Sequence, residues 1–299
     1  AGGYYGGGTL FKMRKDGTGF ESGSFSCSEI DGCEPFAGLI EGSDGFLYGT
    51  TSRGGGMGGG TLFKLAKDGT GFFLLKSFRC GVTTDGCRPI AGLIEGSDGL
   101  LYGTTHDGGA FNHGTIFKIA KDATGFAILR IFQCGGNDGC LPASELTEGS
   151  DGFLYGTTSE GGNSGGGTVF KVAKDGSGFT VLQHFQCNGG TDSCELRAGL
   201  IEGSDGFLYG TTKEGGNYYY RGTLFRIGRD GSNFTTLRNL DCAQDGCHPY
   251  AGLTEGADGF LYGAAYDGGL SSAGTLFKIA KDGTAFSVVT PTGCVIASG

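Results

Sequence analysis

Short apolar runs recur along the chain, each bounded by glycine and aspartate. In residues 90–132, Ile90 to Glu95 leads into the turn Gly96-Ser97-Asp98-Gly99, and Leu100 to Thr105 follows. A glycine-rich loop through Gly108-Gly109 comes next, then Gly114 to Ala120, a turn at Lys121-Asp122, and Phe126 to Phe132. Asp-Gly between apolar runs is a hairpin signal, because glycine accepts positive φ without a Cβ clash. No segment has the 3.6-residue apolar period of an amphipathic helix. Each unit therefore reads as four short antiparallel strands. Continuous apolar stretches such as Phe46-Leu47-Tyr48 indicate sheets covered on both faces, since a half-solvated sheet would alternate.

The pattern repeats. Gly-Thr-(Leu/Ile/Val)-Phe-(Lys/Arg) begins at Gly8, Gly60, Gly114, Gly167, Gly222 and Gly274, at steps of 52, 54, 53, 55 and 52 residues. Glu-Gly-(Ser/Ala)-Asp-Gly-(Phe/Leu)-Leu-Tyr-Gly begins at Glu41, Glu95, Glu148, Glu202 and Glu255. Four strands per roughly 50 residues is the signature of a propeller blade. The expected fold is all-β: a single domain over 1–299, a six-bladed β-propeller of four-stranded antiparallel blades. Unit boundaries fall near 1–35, 36–88, 89–141, 142–196, 197–248 and 249–299. The chain opens with strands three and four of a unit and ends in a tail, Cys294 to Gly299, that resembles a first strand. One blade is therefore incomplete. It is closed by both termini, or completed by a neighbouring molecule through the open strand edge.

The 66 glycines and 5 prolines make up about 24% of the 299 residues, near the range of low-complexity disorder. Their fixed positions argue for order instead. The net charge of −9 disfavours nucleic acid and anionic membrane as partners. No run of 18 apolar residues marks a membrane span, and a start at Ala1 without a leader fits a processed, exported chain.

The string Ala-Gly-Leu-Ile-Glu-Gly-Ser-Asp-Gly-Phe-Leu-Tyr-Gly-Thr-Thr, then Gly-Gly, then Gly-Thr-Leu-Phe-Lys, resembles the bacterial GloVer tandem repeat across residues 8–289. The resemblance implies an exported or surface propeller-like protein and carries no catalytic residues with it. The cysteine pairs depart from the usual pattern and no anchoring domain is visible.

Ten cysteines fall in pairs between units: Cys27 with Cys33, Cys80 with Cys87, Cys134 with Cys140, Cys187 with Cys194, and Cys242 with Cys247. They read as local disulfides of an oxidising compartment, each contributing about 2–2.5 kcal/mol by chain entropy. Zinc and free thiols are the alternatives. Cys294 is left over, as an unpaired or intermolecular thiol.

In four-stranded blades, the Gly-Ser-Asp-Gly and Lys-Asp-Gly turns share one end of the ring. The cysteine loops and second-to-third loops share the other and carry most of the variation. There Tyr218, Tyr219, Tyr220 and Arg221 form the most ligand-like cluster, suited to sugar or protein. The glutamates that close the first strands, from Glu41 to Glu255, offer an acidic ring to a cation such as Ca²⁺, although no metal or cofactor is assigned. Asn233-Phe234-Thr235 is a candidate glycosylation sequon. The four histidines occupy different repeat positions, and no serine-hydrolase or zinc-protease string occurs. The expected role is a secreted or cell-surface structural or interaction protein that self-assembles through its incomplete blade, with itself or extracellular protein or glycan as partners. A lectin-like propeller and a glycoside hydrolase or lyase are the alternatives.

Overall fold

The computed structural model describes residues 6–186, 193–216, 221–270 and 272–289. Its main elements are five four-stranded antiparallel sheets, one of them extended by a further small ladder, and a two-stranded sheet near the start of the chain; two more two-stranded ladders lie in the loops, and there is no helix among the described residues. The two-stranded sheet pairs Thr9–Lys12 with Glu21–Ser24. The first complete sheet runs Ile40–Glu41, Leu47–Thr51, Gly58–Leu65 and Phe73–Arg79 in spatial as in chain order. Four more sheets repeat this order. Their inner strands surround one central cavity of about 1900 Å³, lined from Ile40 round to Glu255. The architecture is propeller-like.

The inner strand is shorter than the sequence indicates. Of Ile90 to Glu95, only Ile94–Glu95 is ladder-paired. The preceding segment turns to the neighbouring sheet, where the Ala91 carbonyl accepts from Thr50 Oγ1 at 3.2 Å. Small ladders that the sequence did not suggest join each cysteine loop to the second-to-third loop, as in Gly86–Cys87 with Asp107–Gly108.

The core lies between sheets. The third-strand phenylalanines Phe63, Phe117, Phe170, Phe225 and Phe277 are fully buried. Four of them meet an outer-strand ring of the preceding sheet, as Phe78 meets Phe117 at 5.2 Å. A register shift before each of four of these phenylalanines adds a local kink where the ring must turn in. The glycine of the second strand makes room: a Cβ on Gly103 would stand 2.6 Å from the Phe117 ring. The preceding residue (Leu62, Ile116, Val169, Leu224) is equally buried against the following sheet.

The end sheets break this rule. Phe11, equivalent to Phe63, is 63% exposed, and Leu276, equivalent to Leu62, is 54% exposed. Phe11 stacks on Phe20 of its own hairpin at 5.9 Å, and among the described residues no further sheet covers either side chain.

Candidate functional site

On the turn face, each inner-strand glutamate is held by two sheets. Glu95 accepts from the backbone N–H and hydroxyl of Ser43, in the preceding sheet, at 2.7 and 2.6 Å. It also pairs with Lys121 of its own third-to-fourth turn. Lys121 donates onward to Ser43 Oγ at 2.7 Å, closing a triangle. The same triangle forms at Ser97–Glu148–Lys174, Ser150–Glu202–Arg229 and Ser204–Glu255–Lys281. Burial alone would raise the Glu95 and Glu148 pKa values, but the lysine and serine hydrogen bonds outweigh it and hold both below the ordinary range. At Glu255 the bonds from Lys281 and Ser204 bring the pKa to about 2. Glu41, with no inner strand before it among the described residues, pairs with Lys67 at 2.5 Å.

The acidic ring is therefore a set of latches between sheets, with its charge already neutralised. The turn aspartates are also engaged. Asp44, Asp98, Asp151, Asp205 and Asp258 each accept from the tyrosine hydroxyl four residues on, at 2.6–2.8 Å. Burial and that carboxylate together push the pKa values of Tyr48, Tyr102, Tyr155 and Tyr209 upward.

On the opposite face, three disulfides join Cys80 to Cys87, Cys134 to Cys140, and Cys242 to Cys247, with Cα separations of 4.9, 4.7 and 4.8 Å. Cys194 is disulfide-bonded too, while Cys187 lies outside the described residues. The first pair departs from expectation: Cys27 and Cys33 are free thiols. They flank the loop that follows the two-stranded sheet, where four hydrogen bonds from Ser26 and Ser28 to Asp31 already fold the chain between them. Burial first, then the Cys27 contact, pushes the Cys33 thiol up to about 12, so it stays protonated.

Each bonded loop also carries an aspartate two residues before its second cysteine. Asp85, Asp138 and Asp245 are buried and bind an outer-strand cation, namely Lys76, Arg130 and Arg238, at 2.8–2.9 Å. Beside the second cysteine, a residue pair changes from unit to unit. It is Glu34 with Arg53, then Arg88 with Asp107, Glu195 with Lys213, and His248 with Asp267. Where Leu141 stands in this series, Glu160 has no charge to meet. Tyr250 and Tyr266 pack edge to face at 5.4 Å and are 47% and 72% exposed, with Lys213 over the Tyr250 ring.

In the central cavity, one residue breaks the symmetry. Glu145 occupies the inner-strand position held elsewhere by Gly38, Gly92, Gly199 and Gly252. Its carboxyl opens into the channel, yet the crowding walls raise its pKa.

The whole sequence is similar to a known repeat family, and the fold to known structures. It matches the Gloeobacter/Verrucomicrobia repeat over residues 1–149 and 125–293. The chain belongs to that repeat family. No curated protein matches it. Several solved structures share the fold. A chain of the nidogen/laminin complex is 13% identical, with TM-score 0.56, covering 95% of this chain and 90% of its own. TolB from Acinetobacter baumannii is 13% identical, with TM-score 0.53, over 92% of this chain and 57% of that one. XC5397, a gluconolactonase from Xanthomonas campestris, is 15% identical, with TM-score 0.52, over 86% and 77%. At these identities the likeness is one of fold alone.

Within this member of the repeat family, the residues singled out from sequence fare differently. Tyr218, Tyr219, Tyr220 and Cys294 lie outside the described residues. Arg221 is described, and its guanidinium pairs with Asp241 at 3.0 Å. Asn233 is exposed in its turn at φ 55° and donates to Ser232 Oγ at 3.0 Å. His106 bonds Asp107 at 2.7 Å, an orienting contact beside Arg88. Sequence reading missed the latches, the buried loop aspartates and Glu145. The signals were present: Asp-Gly-Cys recurs in the cysteine loops, and one glutamate interrupts a column of glycines.

Proposed function

We propose that this chain is an exported structural and interaction propeller that associates with further copies of itself through its two uncovered end sheets. The observation that carries this reading is the contrast between Phe11 and Leu276 and their buried equivalents. Every internal sheet covers both side chains, and exposing a large apolar side chain costs about 1.5–3 kcal/mol. The two end surfaces are the complementary halves of an interface that the repeat builds between its internal sheets. Ring closure at six blades, with the tail as an inner strand, is the intramolecular form of the same contact. The disulfides suit an oxidising, extracellular setting. The role needs no catalytic step.

Sedimentation analysis tests the reading. Association should rise with concentration and be abolished by either Phe11→Asp or Leu276→Asp. A species that stays monomeric at every concentration, and stays so after deletion of 290–299, would sink it. If only the truncated chain associates, the tail closes the ring and self-association is not the native role.

A second reading, glycan binding at the loop face, is favoured by the exposed Tyr250–Tyr266 pair, because such rings offer an apolar face with a polar edge. Loss of glycan-array signal in Tyr266→Ala would support it.

A further inference from the structure

The central cavity is lined by backbone, aliphatic groups, serine and threonine hydroxyls and carboxylates, with no lysine, arginine or histidine among its lining residues. Most of those carboxylates are spent. Glu95, Glu148, Glu202 and Glu255 are latched, and Glu41 is paired with Lys67. Glu145 alone, among the described lining residues, has neither an ion pair nor a hydrogen bond for its carboxylate. Its setting is shaped by two glycines. A Cβ on Gly92 would stand 2.8 Å from Glu145 Oε2, and one on Gly199 would stand 3.1 Å from its Cγ. An alanine at either place would crowd the glutamate. Two carbonyl oxygens beside it, those of Glu145 and Gly199, accept no backbone hydrogen bond among the described residues; they lie 3.2 Å from the Gly199 Cβ position and 3.4 Å from that of Gly252.

Unit 142–196 also changes its neighbours. Ser144 replaces the alanine of other units and bonds Thr157 at 2.7 Å, and Thr147 replaces isoleucine and donates to the Leu200 carbonyl. The inner strand carrying the glutamate is therefore tied on both sides.

One unpaired negative charge beside bare carbonyl oxygens sets the ligand chemistry. Calcium takes six to eight oxygens and usually several carboxylates. A primary ammonium carries one charge and three donors, which match one carboxylate and a few carbonyls. We propose that the channel binds a protonated primary amine on an unbranched chain, with Glu145 as its counter-ion and the glycine positions on either side keeping the approach open. The amine comes from a free alkylamine or from a lysine side chain, and the two are separable by experiment.

Isothermal titration at neutral pH and low ionic strength, with putrescine and with Nα-acetyl-lysine amide as probes, tests the site. The wild-type chain should bind at one site per chain, tighter for whichever probe represents the natural source. Glu145→Gly restores the residue that other units carry, so the fold should hold. It should weaken binding by about tenfold or more, as the loss of a charge-assisted bond predicts. Glu145→Gln should weaken it comparably, and Gly92→Ala should weaken it by crowding the carboxylate. Three results would overturn the proposal: no binding of either probe, equal binding by wild type and Glu145→Gly, or calcium alone binding at Glu145 more tightly than both amines. Glu145 lies in a central unit, so none of these outcomes depends on association through the end sheets.

Discussion

On the turn face, Ser43, Glu95 and Lys121 make a contact that recurs three more times with nearly the same distances. On the loop face, the pair beside the second cysteine reverses sign from Glu34–Arg53 to Arg88–Asp107 in the next unit, is interrupted at Leu141, and is Glu195–Lys213 in the unit after that. The contacts differ in reach. Each latch joins residues 51 or 52 apart, on two sheets, so its geometry is fixed by how sheets stack. Each variable pair joins residues 18 or 19 apart, across a loop and its adjoining ladder, and needs only mutual complementarity. A contact between units must stay uniform for the stack to continue. A contact confined to one place is free to vary as long as both partners vary together. The latch series even ends where the sheets end, because Ala257 stands where the four preceding turns carry serine.

The largest test of this division acts on the loop face. Reducing the three described disulfides should cost about 6 kcal/mol in all, at about 2 kcal/mol each. The urea midpoint with and without reductant reads this, and a negligible shift would mean the loops are held by Asp85, Asp138 and Asp245 alone.

A smaller effect is expected on the turn face. Glu148→Ala leaves the half-buried Lys174 ammonium and Ser97 without their acceptor, and should cost about 2 kcal/mol. The latch also predicts a pH dependence. The folded pKa of Glu255 is about 2, depressed from 4.5. Its stabilisation is therefore complete above about 4.5 and is lost as the pH falls toward 2. Denaturation midpoints across that window should decline in the wild type and decline less in Glu255→Gln. Equal slopes would remove the latch from the account of acid stability.

The smallest effect sharpens the idea of paired variation. Arg88→Asp and Asp107→Arg should each cost about 0.5 kcal/mol, because the pair is partly exposed. The double variant should recover most of the loss. Additive losses would show that the sign of the pair matters beyond its complementarity.

Much of the fold is readable in the chain. The Asp-Gly turns, the apolar runs and the steps of 52 to 55 residues announce four-stranded units, because turn chemistry and strand pattern are local. The cysteine spacing is also local, and the three described disulfides close loops of 5 to 7 residues. Cys27 and Cys33 share that spacing and yet remain thiols in the loop after the two-stranded sheet. Spacing alone could not separate that loop from the others.

The candidate sites were less legible. Glutamates in register looked like a cation ring, and only the stacking of sheets showed each one taken by a serine and a cation. Glu145 looked like one more acidic residue until the inner strands were set side by side around a cavity. The sequence by itself determined the unit, its strands and its turns, since those depend on residues near one another. Tertiary structure decided which charges are paired, which apolar faces stay uncovered and which carboxylate stands alone, since burial and pairing depend on neighbours some fifty residues away.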